Sequence, residues 1–220
     1  NLGINIDQTV VIKGPLAKVD SFFRTMKNFK EESLKLTNVK SVTASTVVPG
    51  EPIPWNAGGI KLHGAAESTA KQYRIVGGDY DYLDAFDFKI LAGRKISKAY
   101  PTDTASVVLS KKAAELMGYN KPADALDKRI DFWGKIYTIV GVVDNYHQQS
   151  LRDAYDAIIF RCIPDIGGEI SVKVGTANIQ QTIEGLRANW KQFFPEDQFD
   201  YYFLDQHFNE QYHADKQFGQ

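Results

Sequence analysis

The order strand, helix, strand is written twice in this chain, once near each end, and that repetition narrows the folds open to it. Residues 8–13 (QTVVIK) are rich in β-branched side chains and stop at Gly14-Pro15, as a strand does. Leu16, Val19, Phe22, Phe23, Met26, Phe29, Ser33 and Leu34 then recur three and four apart, which predicts an amphipathic helix over residues 16–36. Pro15 suits its first turn, where a missing N–H costs nothing. Residues 39–48 (VKSVTASTVV) predict the returning strand. At the far end, residues 169–174 (EISVKV) predict a strand and Asn178 an N-cap. Ile179, Ile183, Leu186, Trp190, Phe193 and Phe194 form the apolar stripe of a helix over residues 178–194, which Pro195 stops. Residues 198–204 place Phe199, Tyr201 and Phe203 on one face, the alternation of a half-buried strand. Two β-α-β units of this kind commonly share one sheet, with both helices on one side of it.

The residues between them have a different character. Residues 51–64 are rich in Pro and Gly and predict a loop carrying Trp55. Residues 73–77 and 88–92 read as strands around a short helix near 81–86. Residues 106–109 are a strand, and Ser110 caps a helix that runs to Met117. Residues 129–133 and 136–143 flank Gly134-Lys135, a hairpin signal, and residues 157–162 add a further strand. The expectation is an α+β fold: a subdomain of two β-α-β units (residues 1–49 plus 166–204) and an inserted, mostly-β second subdomain (residues 50–165). Residues 205–220, with Asp205 as cap, predict a last helix that is polar on most faces.

Composition excludes several classes. Hydrophobic residues make up 43% and charged residues 24% of 220, the balance of a folded chain. The net charge is −1, and no Lys/Arg run exceeds pairs such as Lys111-Lys112, so no nucleic-acid partner is expected. The single Cys162 rules out an internal disulfide. The longest uncharged runs, residues 41–50 and 174–183, fall well short of the roughly 20 apolar residues of a membrane span. The chain opens at Asn1 without Met and closes at Gln220 inside a helical pattern, which reads as a domain cut from a longer protein.

Six segments stand in the order QTVVIKGP, VKSVTASTVVPG, GGDYDYLDAFDFKILAGRKIS, SVVLSKKAAELMG, IYTIVGVVDNYHQQSL and FDYYFLDQHFNEQY. In that order they resemble the periplasmic domain of MacB-like ABC-transporter permeases, a group that includes FtsX-type and lipoprotein-releasing transporters. The most telling are Leu91-Ala92-Gly93-Arg94 and Val140-Gly141-Val142-Val143; Ile96 departs from an aromatic often found there. The resemblance implies a porter-like subdomain with a Sabre-like insertion, lying on the periplasmic side of the inner membrane between the first and second membrane helices. It implies a non-catalytic domain with no cofactor, to which an ABC ATPase is coupled indirectly through the membrane helices. It further implies assembly as a homodimer or heterodimer, contact with a periplasmic adaptor or exported substrate, and residues 205–220 as a stalk towards the second membrane helix.

The residues themselves offer few candidates for chemistry. No G-x-x-x-x-G-K-[ST], G-x-G-x-x-G, G-x-S-x-G or H-E-x-x-H occurs. Asp144 and His147, after a strong strand, are the best acid–base candidates, against a plain strand-to-loop junction; no nucleophile is assigned beside them, although Ser150 lies nearby in sequence. Asp79, Asp81, Asp84 and Asp87 lack the spacing and glycine of a calcium loop and read as a solvated face. His207 and His213 point apart on a helix, so no metal site is expected. Cys162 reads as a small buried hydrophobe. Trp55, Asp144 and His147 are the candidate contacts for a partner or substrate. Three readings stay open: a transducing permease domain, a ligand-sensing domain on the same architecture, and a stand-alone hydrolase.

Overall fold

The computed structural model describes residues 2–15, 21–149, 151 and 153–218. In chain order its elements are β1 (Thr9–Lys13), α1 (Phe22–Leu34), β2 (Val39–Ser45), β3 (Asn56–Leu62), β4 (Lys71–Gly78), α2 (Tyr82–Ala85), β5 (Ile90–Gly93), β6 (Ser106–Ser110), α3 (Lys111–Leu116), β7 (Arg129–Phe132), β8 (Lys135–Val143), β9 (Ile158–Cys162), β10 (Glu169–Val174), α4 (Ile179–Phe193), β11 (Tyr201–Phe203) and α5 (Leu204–Phe218). They form two compact units, Ile6–Val48 with Asp165–Gln220, and Asn1–Asn5 with Pro49–Pro164.

In the first of these units the strands run β11-β1-β10-β2, every pairing antiparallel. Both β-α-β segments therefore do share one sheet. Val10 and Ile12 of β1, Val42 of β2 and Ile170, Val172 and Val174 of β10 alternate onto the face that α1 and α4 cover. Met26, Phe29 and Ser33 are the buried stripe of α1, and Ile183, Leu186 and Trp190 that of α4. The helices meet through Phe29, whose ring stands edge-on to Trp190 at 5.5 Å, while Trp190 Nε1 donates to the Asp197 carbonyl at 3.0 Å. Burial of each large apolar side chain among them contributes about 1.5–3 kcal/mol.

Details of this unit depart from the sequence expectation. The helix expected over residues 16–36 is seen as Phe22–Leu34; residues 16–20 lie outside the described residues. Asn178 precedes α4 but does not cap it with its side chain. Its backbone is left-handed (φ 54°), a conformation that Asn tolerates better than most residues, so the side chain is turned off the helix end. Nor is Asp205 a cap. β11 passes into α5 without an intervening loop, and Asp205 sits within the first turn, accepting from the Gln206 N–H at 2.8 Å.

The other unit is a closed ring of six strands, β4-β3-β7-β8-β6-β9, sealed by a parallel β9–β4 pairing, with the short β5 alongside β8. Its interior is filled by alternate residues of these strands, Tyr73 and Ile75, Val107 and Leu109, Ile130 and Phe132, Tyr137 and Ile139, and Ile159, together with Ala57 and Ile60, which are three apart. Part of the expected loop over residues 51–64 is the strand β3. Its two glycines are a bulge, where the register shifts between Ala57 and Ile60 and Gly59 takes φ +75°. The β7–β8 turn is centred on Trp133-Gly134, both at positive φ (49° and 83°), one residue earlier than expected. Ser110 does cap α3, accepting from the Ala113 N–H at 3.2 Å. Residues 2–5 belong with this unit and not with the first: the Asn5 N–H donates to the Phe86 carbonyl, and the His147 N–H to the Leu2 carbonyl.

Candidate functional site

One end of the six-stranded ring is built from aromatic side chains around a cation. Arg161 lies two residues beyond Ile159 on β9 and so shares its inward-facing side. It pairs in register with Val107 on β6 and with Gly77 on β4, where an inward position carries no side chain. The carbon of its guanidinium stands 4.9 Å from the centre of the Tyr137 ring, 5.3 Å from Phe132 and 5.5 Å from Trp55. Phe132 and Tyr137 are buried and form the floor; Trp55 is half-buried. Arg161 Nε is sealed from solvent and has no hydrogen-bond partner, and no ion pair or hydrogen bond reaches the rest of the guanidinium among the described residues.

The energetics of this cage are close to balanced. An unmet buried donor costs about 1–3 kcal/mol, and cation–π attraction in a desolvated setting returns about 2 kcal/mol. Trp133 extends the rim. Its ring lies 5.4 Å from Phe132 and 6.2 Å from Trp55, and its Nε1 donates to the Gly58 carbonyl at 3.1 Å. Yet it is 62% exposed and holds a left-handed backbone, which costs a side-chain-bearing residue roughly 1–2 kcal/mol. A turn of this kind ordinarily takes Asn or Gly there.

Of the residues singled out by sequence, only Trp55 belongs to this cluster. Asp144 and His147 are not brought together: no hydrogen bond joins them among the described residues. Asp144 accepts from the next backbone N–H, that of Asn145, at 2.8 Å, and the His147 ring stacks on Tyr155 at 4.8 Å. Ser150 lies outside the described residues. The four aspartates are taken up separately. Asp79 accepts from the Asp81 N–H, Asp81 and Asp84 face Lys98 and Lys95, and Asp87 accepts from Asn5. No cluster of three metal-competent side chains occurs among the described residues. His207 contacts Gln211 at 3.1 Å and stacks on Tyr202. Cys162 is buried, and burial pushes its thiol up to about 12.

Two polar clusters escaped sequence reading because their members are far apart or look ordinary. Lys61 and His63 converge on Asp131, at 3.0 and 2.7 Å; hydrogen bonds from His63 and Lys61 hold that carboxyl below its usual range. Arg94 closes on Asp103, which also accepts from the Ser97 N–H and the Ser106 hydroxyl, and stacks over Tyr100 with its guanidinium carbon 3.6 Å from the ring centre. The two glycines of the telling motifs meet beside this pair. A Cβ on Gly93 would lie 2.3 Å from the Val140 carbonyl oxygen, and one on Gly141 would lie 2.0 Å from that of Arg94.

The model of the MacB-like periplasmic core domain matches residues 4–188. The chain belongs to that family. It is thus the periplasmic domain of a MacB-like ABC-transporter permease. Its fold is that of the periplasmic region of MacB from Actinobacillus actinomycetemcomitans (TM-score 0.65, 16% identity, 94% of each chain covered). It is also that of a domain of a putative permease from Porphyromonas gingivalis (TM-score 0.59, 16% identity, 89% of this chain and 88% of that one). The extracellular domain of the noncanonical ABC-type transporter YknZ from Gram-positive bacteria is similar too (TM-score 0.58, 15% identity, 88% and 99% covered). No curated protein is matched by sequence. Among the described residues no helix is long and apolar enough to cross a membrane.

Proposed function

We propose that this MacB-like domain works without catalysis, passing on the motion of membrane helices that a partner ABC ATPase drives, and contacting an exported substrate or a periplasmic partner. The observation that carries this reading is the pairing of β1 with β11. Val10 lies opposite Phe203 and Ile12 opposite Tyr201, antiparallel, so the chain comes into the sheet and leaves it at the same end. From there α5 departs directly from β11. Leu204 and Phe208 are its buried residues and His207 rests against Tyr202 of β11, whereas residues 213–218 are exposed, with Phe218 90% exposed. A helix with so little of its surface covered suits a stalk, residues 205–220, leading to a membrane segment.

Spin labels at Asn209 in the two copies of the full-length transporter test this. Trapping the ATPase with nucleotide should shift the distance between labels by several ångströms, and an ATPase-dead partner should abolish the shift. An unchanged distance distribution would remove the coupling role. A second reading, ligand sensing by the domain, is favoured by a specific observation: the unpaired Arg161 in its aromatic cage.

A further inference from the structure

We propose that the aromatic end of the six-stranded ring is a binding site for a carboxylate carried on an apolar body, with Arg161 holding the carboxylate and Trp55 and Trp133 flanking the apolar part. This goes beyond the transmission role and does not depend on it. Three features converge on it. Arg161 is a half-buried cation that no anion among the described residues neutralises, and its Nε is shut off from water as well as from the acceptors of those residues. The guanidinium is fixed by three ring faces, so a ligand need not freeze it; its planar fork fits the two oxygens of a carboxylate. Gly77, opposite Arg161 on β4, adds no side chain to this layer of the interior.

The walls set the ligand class. One guanidinium balances one negative charge, and a phosphate dianion entering a rim of aromatic carbon would leave half its charge uncompensated. Trp133 supplies a large, exposed apolar face held in an unfavourable backbone conformation, the kind of strain that is retained where a side chain has a task. Together Trp55 and Trp133 offer two indole faces, 6.2 Å apart and inclined at 47°, to a flat or branched hydrocarbon.

The test is a proton–nitrogen NMR titration of this chain with 3-phenylpropionate. The Arg161 Nε–H signal and the indole signals of Trp55 and Trp133 should move together and saturate, while the Trp190 indole, in the other unit, stays in place. The matching amide, 3-phenylpropionamide, should bind at least tenfold more weakly, and inorganic phosphate likewise. Arg161→Met should abolish binding. If that variant loses the dispersed spectrum of a folded chain, Arg161→Lys, which keeps the charge but not the planar fork, should weaken binding several-fold. Absence of saturable shifts overturns the proposal. So does equal binding of the amide, which would mean an apolar cleft with no use for the cation, or equal binding of phosphate, which would mean an anion site with no use for the apolar walls.

Discussion

Arg94 meets Asp103 with both terminal nitrogens, each 2.8 Å from a different carboxylate oxygen, and the carboxylate has no exposed surface. Arg94→Met leaves that carboxylate buried and unneutralised. Removing one partner of such a pair costs about 3 kcal/mol or more, so denaturant unfolding should show a loss of that order. A loss below about 1 kcal/mol would show that the pair is decorative.

The same pair makes stability depend on pH. Burial pushes the Asp103 carboxyl up, but the hydrogen bonds from Arg94, Ser97 and Ser106 pull it further down, to below its ordinary value. A lowered carboxyl contributes stability above its unfolded value, about 3.9, and loses it as the pH falls through the folded value. The stability gap between the native chain and Asp103→Asn should therefore be full at neutral pH and narrow below about pH 4. Parallel stability curves down to pH 2 would contradict this assignment.

Glycine positions should divide sharply. Gly141→Ala would force a methyl within 2.0 Å of the Arg94 carbonyl oxygen, whereas a Cβ on Gly58 meets nothing within 4 Å. The first should cost several kcal/mol and the second no more than about 1 kcal/mol, measured by thermal or denaturant unfolding. Comparable losses at both sites would mean that the approach of β5 to β8 is not what fixes Gly141.

Cys162 should be silent while the chain is folded. Its buried thiol, pushed up to about 12, holds almost no thiolate at pH 8. A disulfide reagent should modify it only at the rate of opening, accelerating with urea. Rapid labelling of the native chain would place the thiol at the surface instead.

Trimming the exposed end of α5 should leave stability alone. Residues 213–218 are exposed, and His213 and Lys216 contact Tyr212 of the same helix, so a chain ending at Tyr212 should unfold within about 0.5 kcal/mol of the full one. A larger loss would mean that this stretch packs against its own domain in solution.

How much of this was legible in advance depended on whether the deciding contacts are local. The stripes of α1 and α4 and the β-branched runs of β1, β2 and β10 carry their own period, so the shared sheet could be read directly. β3 could not, because Gly58-Gly59 interrupts its alternation with a bulge that looks like loop composition. The turn lies at Trp133-Gly134, one residue before the Gly134-Lys135 signal, and nothing in an aromatic side chain announces a positive φ. Asn178 carried the right residue type for a cap, but its backbone conformation turned the side chain away. The Arg161 cage was illegible, since its parts come from residues 55, 132, 133, 137 and 161 and converge only when the ring closes. Only Trp55 stood out beforehand, as a lone aromatic in a proline-rich stretch.

The pairing of β1 with β11 has a mechanical consequence. Val10 and Phe203 form the outermost rung of a short ladder, and the chain leads away from both at that same edge. Once the contacts of residues 2–5 and of Leu204 and Phe208 have given way, pulling the two leads apart would load this rung first and open the ladder like a zip, one pair at a time. Pushing or turning both leads in unison puts no opening load on any rung and carries the four strands as one rigid plate. In the proposed transmission role, the sheet would be a weak fastener against separation and a stiff lever against joint displacement.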